Sequence, residues 1–335
     1  MVCLGTRMTP RVSRQLCVVF VMTSCLCVLL FGYQGHYVSY HTTRDFFVFS
    51  RSRTCSENQN NTLPVPVRQW LGDLTRVPLT LTSNYVINPS VVCPRHETLE
   101  YILLVKSSTV NFRHRNGIRE TFGQRNFGNI RRRVVFLLGL PSDHETSLKV
   151  YKEAEQYGDV IQGHFLDTYR NLTLKSVMGL RWISEYCPFV KSIITIDDDM
   201  FLNVFRINSF LISDFSNRKK SIKCFLQQPV IMRDADQKWR IHPQYFPGLT
   251  YYPFQYCPGL FVIMTHDVIK PLLEAARVTP VFWVDDVYIY GLLTSVAGNI
   301  TMLEMNSIER QWVFNDKFTN QLNVLEINHR FYDHR

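Results

Sequence analysis

The sequence predicts an α/β protein, a largely parallel sheet with helices on both faces. Two observations carry that prediction. Between Thr98 and Asp197, short runs rich in aliphatic and β-branched residues alternate with stretches of helical period. The last of these runs, Phe189 to Ile196, stops abruptly at Asp197, Asp198 and Asp199. In an open α/β sheet ligands sit beyond the carboxyl ends of the strands, so a site is expected there.

The elements follow in order. Thr98 to Val105 reads as a strand and Phe112 to Phe122 as a helix. Arg133 to Gly139 is a second strand, and the Arg131–Arg133 triplet at its start reads as its solvated edge. Ser142 or Asp143 caps the next helix, Glu145 stands in its first turn, and Gly158 ends it after Tyr157. Asp159 to Phe165 is a short strand, Leu174 to Tyr186 a helix, and the strand ending at Asp197 comes next. Further on, the apolar run Val281 to Val284 leads to Asp285 and Asp286 at the sheet's edge, where a helical stretch from Val287 begins.

At 335 residues and 46% hydrophobic, the chain has ample material for a packed core. Its net charge of +9 is scattered, without a basic face interleaved with aromatics, which argues against nucleic acid as a partner. Leu16 to Tyr33 contains no charged residue and, as a helix, would be about 27 Å long, close to a bilayer's hydrocarbon thickness. Arg7, Arg11 and Arg14 precede it, which leaves residues 1–15 in the cytosol and residues 16–33 as a single-pass signal anchor. A cleaved signal peptide is the other reading of that span, and it sends the chain into the same secretory pathway. Residues 34–95, irregular and interrupted by prolines, read as a stem, and residues 96–335 as a lumenal catalytic domain. Trp70 and Leu71 would allow the later part of the stem to pack on that domain. Asn60, Asn171 and Asn299 each open an Asn-x-Ser/Thr sequon suited to lumenal glycosylation. Of nine cysteines, Cys55, Cys93, Cys187, Cys224 and Cys257 lie beyond the span, without zinc-type spacing, and read as structural.

If strand geometry continues, Asp197 and Asp199 face one side and Asp198 the other. Paired carboxylates suit a hard divalent cation, Mn²⁺ or Mg²⁺, shared with a substrate diphosphate; taken alone, the triplet also reads as a solvated acidic turn. Arg115 and Arg119 sit four apart on one helix, either a solvated basic face or a pair near a nucleotide phosphate. Asp167 and Lys175 join a strand to a helix, and by themselves read as a cap and an exposed lysine.

As an ordered set these residues become specific. Arg115-x-x-x-Arg119-x-Thr121, Phe136-Leu-Leu-Gly139, Gly158-Asp159, Asp167-Thr-Tyr-x-Asn-Leu-Thr-Leu-Lys175, Trp182, Cys187 and Asp197-Asp-Asp199 are followed by Tyr256-Cys257-x-Gly259 and Asp285-Asp286-Val287-Tyr288. From about Thr98 to Gly298 the chain resembles the β-1,3-galactosyltransferase family, with its related N-acetylglucosaminyltransferases and the more distant Fringe enzymes. The resemblance implies a Rossmann-like GT-A fold and an inverting hexosyltransferase that uses a UDP-sugar and Mn²⁺. It also implies a type II Golgi membrane protein that adds galactose or N-acetylglucosamine, in β-1,3 linkage, to a glycan on glycoprotein or glycolipid. Departures from the family pattern are Phe122 for Trp, Thr195 for Lys, Pro258 and Leu260 for smaller residues, Asp285 for Glu, and Tyr290 where Gly is usual, with Gly291 one later. The last three departures fall where the acceptor is expected.

The chemistry assigns roles accordingly. Asp199, with Asp197 and, near the C-terminus, His329, is the expected metal group; His266 is a weaker candidate. Asp198, Arg115, Arg119, Asp167 and Lys175 are expected to bind the nucleotide sugar. Asp286, with Asp285 beside it, is the expected base that takes the acceptor hydroxyl proton, although helix capping alone would also place acidic residues there. A metal-dependent lumenal hydrolase and a non-catalytic carbohydrate-binding relative are the alternatives.

Overall fold

The computed structural model describes residues 67, 70, 71, 85–93, 97–124, 126–127 and 130–315. The signal anchor 16–33, Cys55, Asn60 and His329 lie outside them, and among the described residues no helix is long and apolar enough to cross a membrane.

The strands in chain order are β1 (Tyr85–Ile87), β2 (Leu99–Lys106), β3 (Asn126–Phe127), β4 (Ile130–Leu140), β5 (Val160–Leu166) and β6 (Val190–Asp197). They continue as β7 (Met200–Leu202), β8 (Ser221–Cys224), β9 (Phe261–Thr265), β10 (Thr301–Glu304) and β11 (Val313–Asn315). The main sheet has the order β1-β5-β4-β2-β6-β9-β8-β10, β3 pairs with β4, and β7 and β11 form a separate antiparallel pair. Strands β5, β4, β2 and β6 run parallel, as the strand–helix alternation predicts. Beyond β6 the sheet is mixed rather than parallel, because β9 runs antiparallel to both of its neighbours. No helix crossover separates β8 from β9; an irregular connection reverses the chain instead.

Helices α1 (Phe112–Glu120), α2 (His144–Tyr157), α3 (Leu172–Tyr186), α4 (Val204–Ser213) and α5 (Ile269–Val278) cover the two faces. Side-chain alternation along β2 explains the layering. Ile102 and Leu104 face a core with Trp182 and Ile183 of α3 and Leu272 of α5. Tyr101, Leu103 and Val105 face the opposite core with Ile118 of α1 and Ile207 of α4. The predicted cap of α2 is Asp143, whose carboxylate accepts from the Thr146 amide, and Gly158 ends the helix at φ 62°, the left-handed conformation that favours glycine.

Two expectations need correction. Segment 34–95 is not a separate stem throughout: Val67, Leu71, Val92 and Cys93 are buried in the main core, and β1 pairs with β5. Trp182 also donates to Asn88, and a Cys93–Cys187 disulfide joins this segment to the end of α3. Arg132 lies within β4 and is buried, donating to the Tyr101 hydroxyl and the Gln124 carbonyl, so the arginine triplet is not a solvated edge. The run Val281–Val284 approaches the sheet's edge as irregular chain, and Thr173 Oγ1 holds it through the Phe282 carbonyl at 2.7 Å.

The fold also separates the sequons. The Asn171 amide donates to the Leu166 carbonyl at 2.8 Å, and the sequon's Thr173 is buried at the start of α3. Asn299 is exposed at a turn with φ 51°, followed by an exposed Thr301. We therefore expect secretory expression to place glycan on Asn299 and leave Asn171 bare. Peptide mapping after enzymatic deglycosylation checks this, and glycan on Asn171 would contradict the packing described.

Candidate functional site

The parallel strands bring their carboxyl ends to one edge. Lys106, the last residue of β2, pairs in register with Asp197, the last of β6. Because β9 is antiparallel, its beginning lies at this edge too, with Phe261 opposite Ile196. Its far end, Thr265, pairs with Ser192, so His266 belongs to the opposite edge and is not part of the acidic site.

One lysine organises the edge. The Lys106 ammonium lies 3.1 Å from Asp197, 3.2 Å from Asp285 and 3.9 Å from Asp286. The three carboxylates raise its pKa well above the ordinary lysine value against the opposing effect of burial. One cation cannot balance three anions, and Asp286 carries the consequence. Burial first, and the charge of Asp285 second, push its carboxyl up to about 7 despite the pull of Lys106. Its Oδ1 is buried without a hydrogen-bond partner among the described residues, yet the side chain is 27% exposed, so its other end meets solvent. Asp285 differs: it is buried and its Oδ2 accepts from Lys106 and from Ser176 at 3.0 Å. It holds the lysine and has no open side.

Gly259 completes this corner. A methyl group on it would overlap Asp286 Oδ1 and stand 2.6 Å from the Lys106 ammonium, so no side chain fits. The Cys224–Cys257 disulfide ties the residues just before Gly259 to the end of β8. Closing such a loop stabilises the fold by about 3–4 kcal/mol in the chain-entropy account.

The other residues expected at the nucleotide sit one layer further in. Asp198 lies in the turn after β6 and accepts from Ser107 Oγ at 2.6 Å and Asn111 at 3.0 Å. Lys175 donates to Asp167 at 2.8 Å and to the Ser107 carbonyl at 2.6 Å, and Asp167 also accepts from the Gly139 amide. Burial lowers the Lys175 pKa against the favourable charge of Asp167. Arg115 is fully buried, pairs with Glu153 at 2.7 Å and donates to Ser107 Oγ and to the carbonyls of Ser108 and Thr109. Arg119 pairs with Asp159 through two 2.8 Å bonds and with Glu153 through a third. Both arginines, expected at the nucleotide, are thus engaged within the protein. Arg115 holds the Ser107–Thr109 loop, and Arg119 holds Asp159, Glu153 and Asn116.

Sequence reasoning missed Lys106, Ser107, Asn111, Glu153 and Ser176. The signal that exposed Asp197, a polar residue ending a buried apolar run, was equally present at Lys106 after Leu99–Val105. Two departures from the family pattern meet directly. Tyr290 OH lies 2.8 Å from Thr195 Oγ1, and the helix is π-helical over Tyr288–Leu293. Gly291 lies within that π turn, and Phe254 packs so closely on it that no side chain fits.

A mixed α/β sheet whose carboxyl edge gathers two acidic clusters around one lysine defines a class of polar, charge-handling crevice protein. The chain belongs to the Galactosyltransferase family, whose sequence profile matches residues 113–302. It is 35% identical over 204 residues to the acetylgalactosaminyl-O-glycosyl-glycoprotein β-1,3-N-acetylglucosaminyltransferase of Homo sapiens, covering 59% of this chain and 52% of that protein. It is 30% identical over 220 residues to β-1,3-galactosyltransferase 2 of Pongo abelii, covering 64% and 51%. It is 29% identical over 225 residues to β-1,3-galactosyltransferase 5 of Homo sapiens, covering 67% and 71%. The chain thus spans about half the length of the first two relatives. Among solved structures, 4-diphosphocytidyl-2C-methyl-D-erythritol synthase from Anaerococcus prevotii superimposes with a TM-score of 0.36 at 11% identity, covering 62% of this chain and 88% of that one.

Removing one partner of a buried ion-pair network leaves an uncompensated charge and costs about 3–5 kcal/mol. Glu153→Ala leaves buried Arg115 without a carboxylate and Arg119 with Asp159 alone, so a marked fall in melting temperature is expected before any ligand is added. A melting temperature equal to the parent's would return the arginines to a direct nucleotide role.

Proposed function

We propose that this chain is an inverting hexosyltransferase with a GT-A arrangement. In this reading it moves galactose or N-acetylglucosamine from a UDP-sugar to a glycan hydroxyl, in β-1,3 linkage. It works in the Golgi lumen behind the 16–33 anchor, and its acceptor glycan is carried by glycoprotein or glycolipid. The observation that carries the reading is the placement of Asp286. Its carboxyl has one face buried against Gly259 and Lys106 and one face open, at the same sheet edge as Asp197–Asp199.

Family membership and the β-1,3-transferase names of the relatives support transfer rather than hydrolysis. Asp286 takes the proton of the acceptor hydroxyl as that oxygen attacks the anomeric carbon, and the bond to the UDP oxygen breaks. Asp285 and Lys106 orient Asp286 and set its basicity. The Ser107–Asn111 loop, braced by Asp198, Asp167–Lys175 and Arg115, supports the nucleotide.

A divalent cation fits the donor set in part. Among the described residues no three His, Cys, Asp or Glu side chains converge as a cage. A cation shared with a diphosphate needs only one or two protein carboxylates. Asp199, half-buried at the turn, and Asp197, 41% exposed with one oxygen on Lys106, meet that need; His329 is the further ligand in this reading. When bound, the cation supplies charge stabilisation for the leaving diphosphate.

Two outcomes are expected. Asp286→Asn lowers transfer by about a hundred- to ten-thousand-fold with UDP binding retained. The parent's rate climbs as pH rises through about 7, because only the deprotonated carboxylate accepts the proton. The same raised pKa carries a sign for stability. Its contribution is complete below the unfolded-state value and is lost as pH rises through the folded-state value. The melting temperature of Asp286→Asn should therefore gain on the parent between pH values of about 5 and 8. Near-parent transfer in a folded Asp286→Asn protein would remove it as the base. Separately, Asp199→Asn should weaken the Mn²⁺-dependent part of UDP binding in calorimetry, and an unchanged Mn²⁺ effect would take Asp199 out of the cation site.

A further inference from the structure

Beside the acidic corner stands an aromatic shelf that the reaction as described does not use. Tyr169, in the short 3₁₀ turn Tyr169–Asn171 after β5, packs edge-on against Trp283 with ring centroids 6.4 Å apart. Trp239, on the long connection between β8 and β9, donates its indole N–H to the Tyr169 hydroxyl. These three segments are far apart in sequence and meet only here. The Thr173–Phe282 hydrogen bond fixes Trp283 against the Tyr169 turn, and Trp283 stands two residues before Asp285. Partial burial raises the Tyr169 pKa, and the charges of Asp285 and Asp286 raise it further, so the shelf lies within electrostatic reach of the base.

Two features point to a ligand. Tyr169 and Trp239 remain 42% and 47% exposed despite the ring and cation contacts made on them. Two exposed cations lie on the shelf: Arg170 stacks 3.6 Å over Trp283, and the Lys238 ammonium lies 4.1 Å from the Tyr169 centroid. No carboxylate among the described residues pairs with either, although Asp234 and Asp236 share the Trp239 connection. Stacking on the rings restricts where both charges sit, while their outward N–H groups keep their donor capacity.

We propose that this shelf is the acceptor platform and that it selects a sugar bearing an anionic substituent. The faces of Tyr169 and Trp239 take the apolar C–H face of a pyranose, and Arg170 and Lys238 take its carboxylate or sulfate. Charge-assisted hydrogen bonds of this kind discriminate by planar geometry for Arg170 and by point charge for Lys238. The proposal rests on the transferase reading, because it places the bound sugar's hydroxyl toward Asp286.

The test is binding, read without turnover. Ligand-detected NMR on the full chain with UDP present compares methyl β-galactoside, its 6-sulfate and methyl β-glucuronide. The two anionic glycosides are expected to bind about tenfold more tightly than the neutral one, a difference of about 1.4 kcal/mol. That preference should shrink at about 0.5 M salt, where exposed charges are screened. Trp239→Ala should weaken all three sugars. Arg170→Ala and Lys238→Ala, singly and together, should reduce the anionic preference toward one while the neutral sugar binds as before. Since both cations are exposed, unchanged melting temperatures will show that these variants fold. Equal affinity for the three sugars, a preference that survives the double variant, or no binding of any would overturn the proposal. Binding as expected with no transfer from any UDP-sugar would instead overturn the transferase reading and leave the shelf standing.

Discussion

The structure depends on a buried ammonium. Lys106 ends the central strand β2 and stands between Asp197, Asp285 and Asp286, which come from two distant stretches of chain. A buried charge must be paired or it destabilises the fold. Lys106 therefore requires the turn after β6 and the helix start at Asp285 to close on it together. Burial first, and the surplus of carboxylates over cations second, then raise the basicity of Asp286. Structural pairing and the candidate chemistry are one arrangement.

Behind that corner a second polar layer holds the adjoining loop. Ser107 receives Arg115 on its hydroxyl and Lys175 on its carbonyl, and its hydroxyl donates to Asp198. Glu153 bridges Arg115 and Arg119, and the two arginines keep it ionised against the cost of burial. Helices α1, α2 and α3 thereby each contribute to one short loop at the sheet's edge. The rigidity of that loop comes from ion pairs that never reach solvent.

The departures from the family pattern fall into place around the same edge. Thr195 on β6 and Tyr290 on the helix, two of those departures, bond to each other. Lys106 acts on the same tyrosine, and its charge opposes the effect of burial on the Tyr290 hydroxyl. The π turn that carries Tyr290 directly follows Asp285 and Asp286 at the helix start.

Much of the fold was legible in the sequence because its signals are local. Apolar period, the Asp143 cap and the Gly158 stop act within a few residues, and they located β2, β4, β5, β6 and helices α1 to α3 to within a few positions. The acidic clusters were legible because each ends an apolar run. What the sequence could not determine is which partner each charge would meet. Arg115 looked like a phosphate ligand, but its carboxylate is 38 residues away in α2; Lys106 finds Asp285 across 179 residues. Strand direction at β9, the pairing of Cys93 with Cys187 and of Cys224 with Cys257, and the capture of Val67, Leu71, Val92 and Cys93 by the core were decided the same way. Each depends on what is adjacent after folding. Burial turns that adjacency into an electrostatic requirement that no local pattern records.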